Sequence, residues 1–187
     1  MLKSIIVALL SLFPIVNYAQ KLEEVKIDPV SHLLIKHTSW EKFTKTGQFN
    51  SYFRMSQVDS AYFFEIRIIL NEPKPMEAKE GEELIFTLSN GEKLTLNCFK
   101  GKKSCLGCGA VTIAGNSSPG IELSYHLTKQ QLEKLRINQV LTKEEYAQHK
   151  KEEIEHIKLN ITSGSIEHEL SENSYYQIRK SIKLLKK

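Results

Sequence analysis

The sequence predicts an α+β protein: an antiparallel β-sheet or sandwich of about seven or eight strands, with short helices near the C-terminus and the last helix packed on the sheet. Three observations carry this. Residues 48–70 are dense in Phe, Tyr, Ile and Arg, and Phe64, Ile66, Ile68 and Leu70 alternate with Glu65 and Arg67. Asn90-Gly91 stands between two strand-like runs, a strong short-range hairpin signal. The segments that read as helices with capping-box openings come late, at Thr128–Gln131 and Thr142–Glu145. Strands in the middle and helices at the end favour an antiparallel sheet over alternating parallel units.

Taken in order, residues 20–37 mix Lys21, Glu23, Glu24, Lys26 and Asp28 with an apolar run and read as an extended arm or first strand. Ser39 precedes Trp40, the single tryptophan, and is placed to cap one helical turn. Residues 48–58 and 61–70 are strands, with a tight turn at Asp59-Ser60. Pro73 and Pro75 make 71–81 an irregular connection. Strands at 83–88 and 93–98 flank Asn90-Gly91, for which a type I′ turn with both residues at positive φ is expected. Residues 99–109, rich in Gly and Lys, read as a loop; 110–114 and 121–127 are two short strands. Thr128 with Gln131 opens a helix over 131–137, and Thr142 with Glu145 opens a charged helix to about residue 155. Residues 156–161 and 166–170 alternate like strands. The last helix is capped by Asn173 or Ser174 and lines up Tyr175, Ile178, Ile182 and Leu185 in one apolar stripe.

Residues 1–19 carry one cation, Lys3, then an uncharged apolar run of about 13 residues, and end at Ala19 before Gln20, which is the pattern of a secretory signal peptide. The run is too short for a bilayer core, which takes about 20 residues, and Pro14 interrupts it. Residues 20–187 are therefore expected to form one domain, exported to the periplasm or secreted. The chain is 41% hydrophobic and 26% charged, proportions that exclude a disordered tail or a multi-pass membrane protein. A net charge of +4 is too small to suggest nucleic acid as a partner.

The motifs also carry a resemblance. They are the Ala19-Gln20 cleavage site, Ser39-Trp40-Glu41, the hairpin at Leu84, Phe86 and Asn90-Gly91-Glu92, and Tyr125-His126-Leu127-Thr128 with Gln131, Leu132 and Leu135, followed by a basic C-terminal helix. In this set the chain resembles the small exported proteins of uncharacterised function common in Bacteroides-type gut bacteria. The resemblance implies a periplasmic or secreted α+β domain and assigns no functional residues. Asp59-Ser60-Ala61 also looks like the O-glycosylation signal of such bacteria, with Ser60 as the acceptor.

Cys98, Cys105 and Cys108 are the only cysteines and fall within eleven residues. In an oxidising compartment one expectation is a structural disulfide across the hairpin mouth, Cys98–Cys108 or Cys98–Cys105, which leaves one odd thiol. A second is an exchangeable Cys105–Cys108 pair, with Lys100, Lys102 and Lys103 stabilising the thiolate. A third is a zinc site of three thiolates and His126. Helical spacing would also bring His149, Glu152, Glu153 and His156 to one face, where Glu153 and His156 form a Glu-x-x-His pair of the metal-binding kind. Arg179, Lys180, Lys183, Lys186 and Lys187 lie opposite the stripe of the last helix, a pattern expected to face water, with no membrane contact after signal cleavage.

No Gly-x-Ser-x-Gly, His-Glu-x-x-His or phosphate-binding glycine loop occurs. The chain is accordingly expected to be a non-enzymatic binding or interaction module without a cofactor, taking a protein, peptide or glycan partner. Its expected contact elements are the loops at 99–109 and 114–120, with Lys100, Lys102, Lys103 and Asn116, because binding groups concentrate on loops held by a rigid scaffold. The alternative is a redox or metal-binding protein that uses Cys98, Cys105 and Cys108.

Overall fold

The computed structural model describes residues 21–45, 48–111, 115, 117–136, 154–170 and 172–185. The leader, Asn116, the helix expected from Thr142, and the side chains of His149, Glu152, Glu153, Lys186 and Lys187 lie outside the described residues. Among the described residues the protein is mostly antiparallel β-sheet with two helices, the second near the C-terminus. Thirteen strands are described, more than the seven or eight expected, because several short segments pair as well.

The largest sheet begins with β1 (Leu22–Ile27) and β2 (Leu34–Thr38). They are joined by a turn in which Asp28 Oδ1 accepts from the Ser31 amide, the Ser31 hydroxyl and the Val30 amide, and those bonds hold the Asp28 carboxyl below its usual pKa. β2 and β3 (Glu41–Lys45) both pair with β4 (Phe49–Val58), one after the other. At the kink between them, Thr38 Oγ1 accepts from the Met55 amide at 3.0 Å and donates to the Met55 carbonyl at 3.3 Å. The buried hydroxyl thus satisfies the two groups of β4 that the broken ladder leaves without a backbone partner. The sequence expectation of a helical turn at Trp40 is wrong for this reason: the chain stays extended, and Ser39 Oγ instead accepts from the Lys21 amide and donates to Glu41.

β4 and β5 (Ala61–Leu70) form the long hairpin read from the sequence, in register over ten pairs, with Asp59 at φ 53° in its two-residue turn and Ser60 exposed. β11 (Ser117–Leu127) pairs with β5, and β10 (Cys105–Val111) closes that edge. The second sheet runs β13 (Gly164–Glu169), β12 (Ile154–Ile161), β7 (Glu83–Leu88), β8 (Lys93–Asn97). A small third sheet pairs β6 (Glu77–Ala78) with β9 (Lys102–Lys103). Residues 99–109, expected as a loop, are therefore largely strand, and residues 117–120, expected as a turn, begin β11.

The β7–β8 turn differs in type from the expected one. The Gly91 amide donates to the Leu88 carbonyl and the Leu88 amide to the Glu92 carbonyl, both at 2.8 Å. Only Gly91, at φ 81°, is left-handed, so the loop has three residues with a bulge at the glycine. Asn90 contributes its side chain, whose Oδ1 accepts from the Glu92 amide.

The two larger sheets meet through one continuous apolar core. Phe53, Phe64, Ile68, Ile121 and Leu123 come from the first, and Leu84, Phe86, Leu96 and Ile157 from the second. Phe64 stacks on Phe53 at 5.5 Å between ring centres and meets Phe86 edge-on at 5.2 Å. α1 (Lys129–Arg136) opens with the capping box read from the sequence, Thr128 and Gln131 exchanging amide and side-chain bonds at 2.9 and 3.2 Å. α2 (Glu172–Leu185) buries the stripe Tyr175, Ile178, Ile182 and Leu185 against β2–β4 and α1. It starts at Glu172, so Asn173 and Ser174 lie inside the helix and do not precede it. Lys36 Nζ donates to the Leu185 carbonyl at 3.4 Å, a cation at the negative end of the helix dipole. Arg179 stacks over Tyr175 at 4.5 Å and is half-buried, where the sequence pattern had it facing water.

One partly buried position is expected to make stability depend on pH. His168 sits edge-on to Phe49 in a small cavity lined by Ile66, Ile68, Ile157 and Leu159, and its Nε2 has no hydrogen-bond partner among the described residues. Burial lowers its pKa below the ordinary 6.5. Because the folded state resists this proton more than the unfolded chain does, stability is full above about pH 6.5 and falls as the pH drops through the folded pKa. His168→Leu is expected to remove that part of the slope while leaving stability at pH 8 unchanged or higher. Denaturant titrations at pH 8, 7, 6 and 5 check it; parallel pH profiles for the two proteins would contradict it.

Candidate functional site

Alternation along three neighbouring strands puts apolar side chains inward, and the residues between them form the outer face of the large sheet. Register aligns three rows across β4, β5 and β11: Ser56–Phe63–His126, Arg54–Glu65–Ser124 and Tyr52–Arg67–Glu122. This outer face is not merely solvated. Glu65 is 8% exposed and accepts from Ser56 Oγ at 2.8 Å and from Arg54 Nε. Arg67 donates to Glu122 through Nε at 3.1 Å and Nη2 at 2.8 Å, and Arg54 Nη2 reaches Glu122 at 3.7 Å. The kink at Thr38 delivers Trp40 to the same place, with the Arg54 and Arg67 guanidinium carbons 4.4 and 4.1 Å from its ring centre. Two cations, two carboxylates and one indole fix one another's rotamers, which lowers the ordering cost of a contact made there.

The row above is aromatic. Phe63 meets Phe99 edge-on at 5.4 Å and His126 at 5.6 Å, and Phe99 is 58% exposed. Phe99 is held by its amide, which donates to the Ser124 carbonyl at 2.8 Å.

The cysteine segment borders the charged row. β10 pairs Cys105 with Gly120 and Leu106 with Pro119, then resumes at Ala110 with Ser118, so Gly107, Cys108 and Gly109 bulge out of the ladder. Gly107 stands at φ 85°, and a Cys105–Cys108 disulfide ties the bulge across a Cα–Cα distance of 5.3 Å. The expected Cys98–Cys108 and Cys98–Cys105 bridges are therefore corrected. Cys98 bridges to Tyr125 at the corner between the two larger sheets, and its buried thiol donates to the Lys100 carbonyl at 3.3 Å. Burial pushes that thiol's pKa up, so it is a poor nucleophile. Tyr125 beside it is fully buried, and its phenol pKa is likewise raised by burial.

The tied bulge lines a cavity of about 430 Å³ together with Arg67, Glu122, Lys102 and Lys103. Of the residues expected to contact a partner, Lys102 and Lys103 are thus brought to a site, whereas Lys100 is exposed on the connection before β9 and does not line it. Of the metal candidates, Cys98, Cys105, Cys108, His126 and His156 are described, and they do not gather into one group. His126 lies in the aromatic row, His156 is exposed on β12, which is a strand and not the expected helix, and no metal-holding group of three His, Cys, Asp or Glu occurs among the described residues. The sequence reading missed Trp40, Arg54, Glu65, Arg67 and Glu122. The signal was there in part, since Glu65 and Arg67 on one strand face and Arg54 on the next mark a charged outer face. Among the described residues no helix is long and apolar enough to cross a membrane. The chain matches no protein-family model, no curated protein and no solved structure.

Proposed function

We propose that this chain is an exported, non-enzymatic binding module and that it binds with the outer face of its large sheet. In this reading the two larger sheets act as an open sandwich that presents Trp40, Arg67, Phe99 and the cysteine-tied bulge on one rigid surface. The observation that supports it most is the half-buried lattice of Arg54, Glu65, Arg67 and Glu122 around Trp40. Charges so fully paired with one another on a solvent-facing sheet add little stability. They do preorganise a surface for recognition, as binding requires.

A second reading has its own support: the bridged pair is the C-x-x-C pair, with Cys105 exposed and Cys108 lining the same cavity as Arg67, Lys102 and Lys103. Such surroundings favour thiolate and hence thiol–disulfide exchange. One experiment separates the two. Residues 20–187 are screened on glycan and peptide arrays beside the variants Phe99→Ala and Arg67→Gln, with a glutathione titration of the same preparation. The binding reading expects a ligand class that both variants lose. Blank arrays, or binding that neither variant changes, would overturn it, and reversible opening of the bridge by glutathione would then put the redox reading in its place.

A further inference from the structure

The cavity beside the bulge has a charge balance that selects its ligand. Arg67 is already matched by Glu122, so the surplus comes from β9. Lys103 reaches only Glu77, at 3.6 Å, and the Lys103 side chain is well exposed while Glu77 is half-buried. Lys102 pairs with no acid among the described residues and lines the same cavity. β9 is held there by its pairing with β6 and by the Ser104 hydroxyl, which accepts from the Met76 amide at 2.9 Å and donates to the Lys74 carbonyl at 3.0 Å. The lining also includes Gly107, Cys108, Gly109 and Ala110, whose small side chains let a small group approach the backbone. The result is a concave site with two uncommitted or weakly committed ammonium groups, one guanidinium and a glycine-containing lining.

We propose that this cavity binds an oxyanion, a phosphate, sulfate or carboxylate group carried by the ligand, with Lys102 and Lys103 supplying the charge, Arg67 the Nη1 donors that Glu122 does not take, and the Cys105–Cys108 bridge the shape. The proposal rests on the binding-module reading and names the chemistry of its ligand. Ammonium and guanidinium donors make charge-assisted bonds to such groups, and their attraction weakens as salt screens it over about 8 Å at physiological ionic strength.

The test is an NMR titration of residues 20–187 with inorganic phosphate and, separately, sulfate and acetate, at low and high sodium chloride. The amides of residues 102–110 and 120–122 are expected to shift together and saturably, with affinity falling as salt rises. The double variant Lys102→Gln/Lys103→Gln is expected to bind about tenfold more weakly, while Lys93→Gln on the distant β7–β8 hairpin changes nothing. Both Lys102 and Lys103 are exposed, so the double variant is expected to fold, and its spectrum outside the cavity reports that directly. No saturable shift, or shifts unchanged in the double variant, would overturn the oxyanion site. Its failure is distinct from failure of the wider reading: an array ligand lost in Phe99→Ala but indifferent to Lys102→Gln/Lys103→Gln leaves the sheet face as the binding surface and removes the anion from it.

Discussion

Phe64→Ala is expected to cost about 3–5 kcal/mol of folding stability, the largest single effect in the molecule. The ring is fully buried and is the point where the two larger sheets touch. It lies parallel to Phe53 within 1°, edge-on to Phe43 at 6.3 Å, and edge-on to Phe86 of the second sheet at 5.2 Å. Truncation removes its own burial and strands three aromatic partners around a void, since strands in a paired sheet cannot collapse inward far enough to refill it. Phe99→Ala is the control: the side chain is 58% exposed, so about 1 kcal/mol or less is expected. Denaturant titration with a check that the slope is unchanged measures both. A Phe64→Ala loss near that of Phe99→Ala would show that the sheets are not held together through this ring.

Gly120→Ala is expected to cost about 3 kcal/mol, at the upper end for adding one methyl group to a packed interior. A Cβ at Gly120 would stand 2.2 Å from the Ile68 carbonyl oxygen and 2.4 Å from the Gly109 Cα, and both are backbone that cannot rotate away. Gly109 faces the same problem, with the Pro119 carbonyl oxygen 2.5 Å from its would-be Cβ. The two glycines let the bulge fold down onto β11, so Gly120→Ala must part β5 from β11 or lift the bulge off. Either movement reshapes the cavity wall, and phosphate affinity should fall with stability. Gly91→Ala offers the contrast: it is left-handed at φ 81° but has nothing within 4 Å, so only the backbone strain of about 1 kcal/mol is expected. Hydrogen exchange of the β5 and β11 amides locates the damage. Equal losses at Gly120 and Gly91 would mean that the close approach is not what the glycine serves.

The disulfide has a smaller thermodynamic part than its position suggests. Closing a loop of four residues constrains the unfolded chain by only about 2 kcal/mol on the chain-entropy estimate, less than the wider Cys98 bridges would. Its contribution is to shape: it holds Gly107–Gly109 out of the ladder and so holds the cavity open.

Much of the fold was legible in the residues because the responsible forces are local. Alternation along β5 sorted Phe64, Ile66 and Ile68 from Glu65 and Arg67, and the burial follows that sorting except at Glu65, which Ser56 and Arg54 enclose on the outer face. The capping box at Thr128 and the apolar stripe of the last helix needed only side-chain spacing. Where local cues failed, a distant partner had intervened. The expected turn of helix at Trp40 lost to pairing with β4, and the glycine-rich 99–109 segment became strand because β11 and β6 offered it ladders.

The site was the least legible part. Arg67 and Glu122 are 55 residues apart, and Trp40 comes from a third segment; only the shared register of β4, β5 and β11 gathers them. The cysteines show the same division. Their number and closeness are facts of the sequence, and so is the expectation that two of three would pair. Which two was decided by the fold, because the end of β8 turns Cys98 into the corner beside Tyr125 while the bulge brings Cys105 and Cys108 within bonding range. By itself the sequence determined which faces are apolar and where the chain turns, since periodicity and turn chemistry are written in neighbouring residues. Only the tertiary structure decided which faces meet and which charges share a surface, since strand register across long separations is set by packing of the whole core.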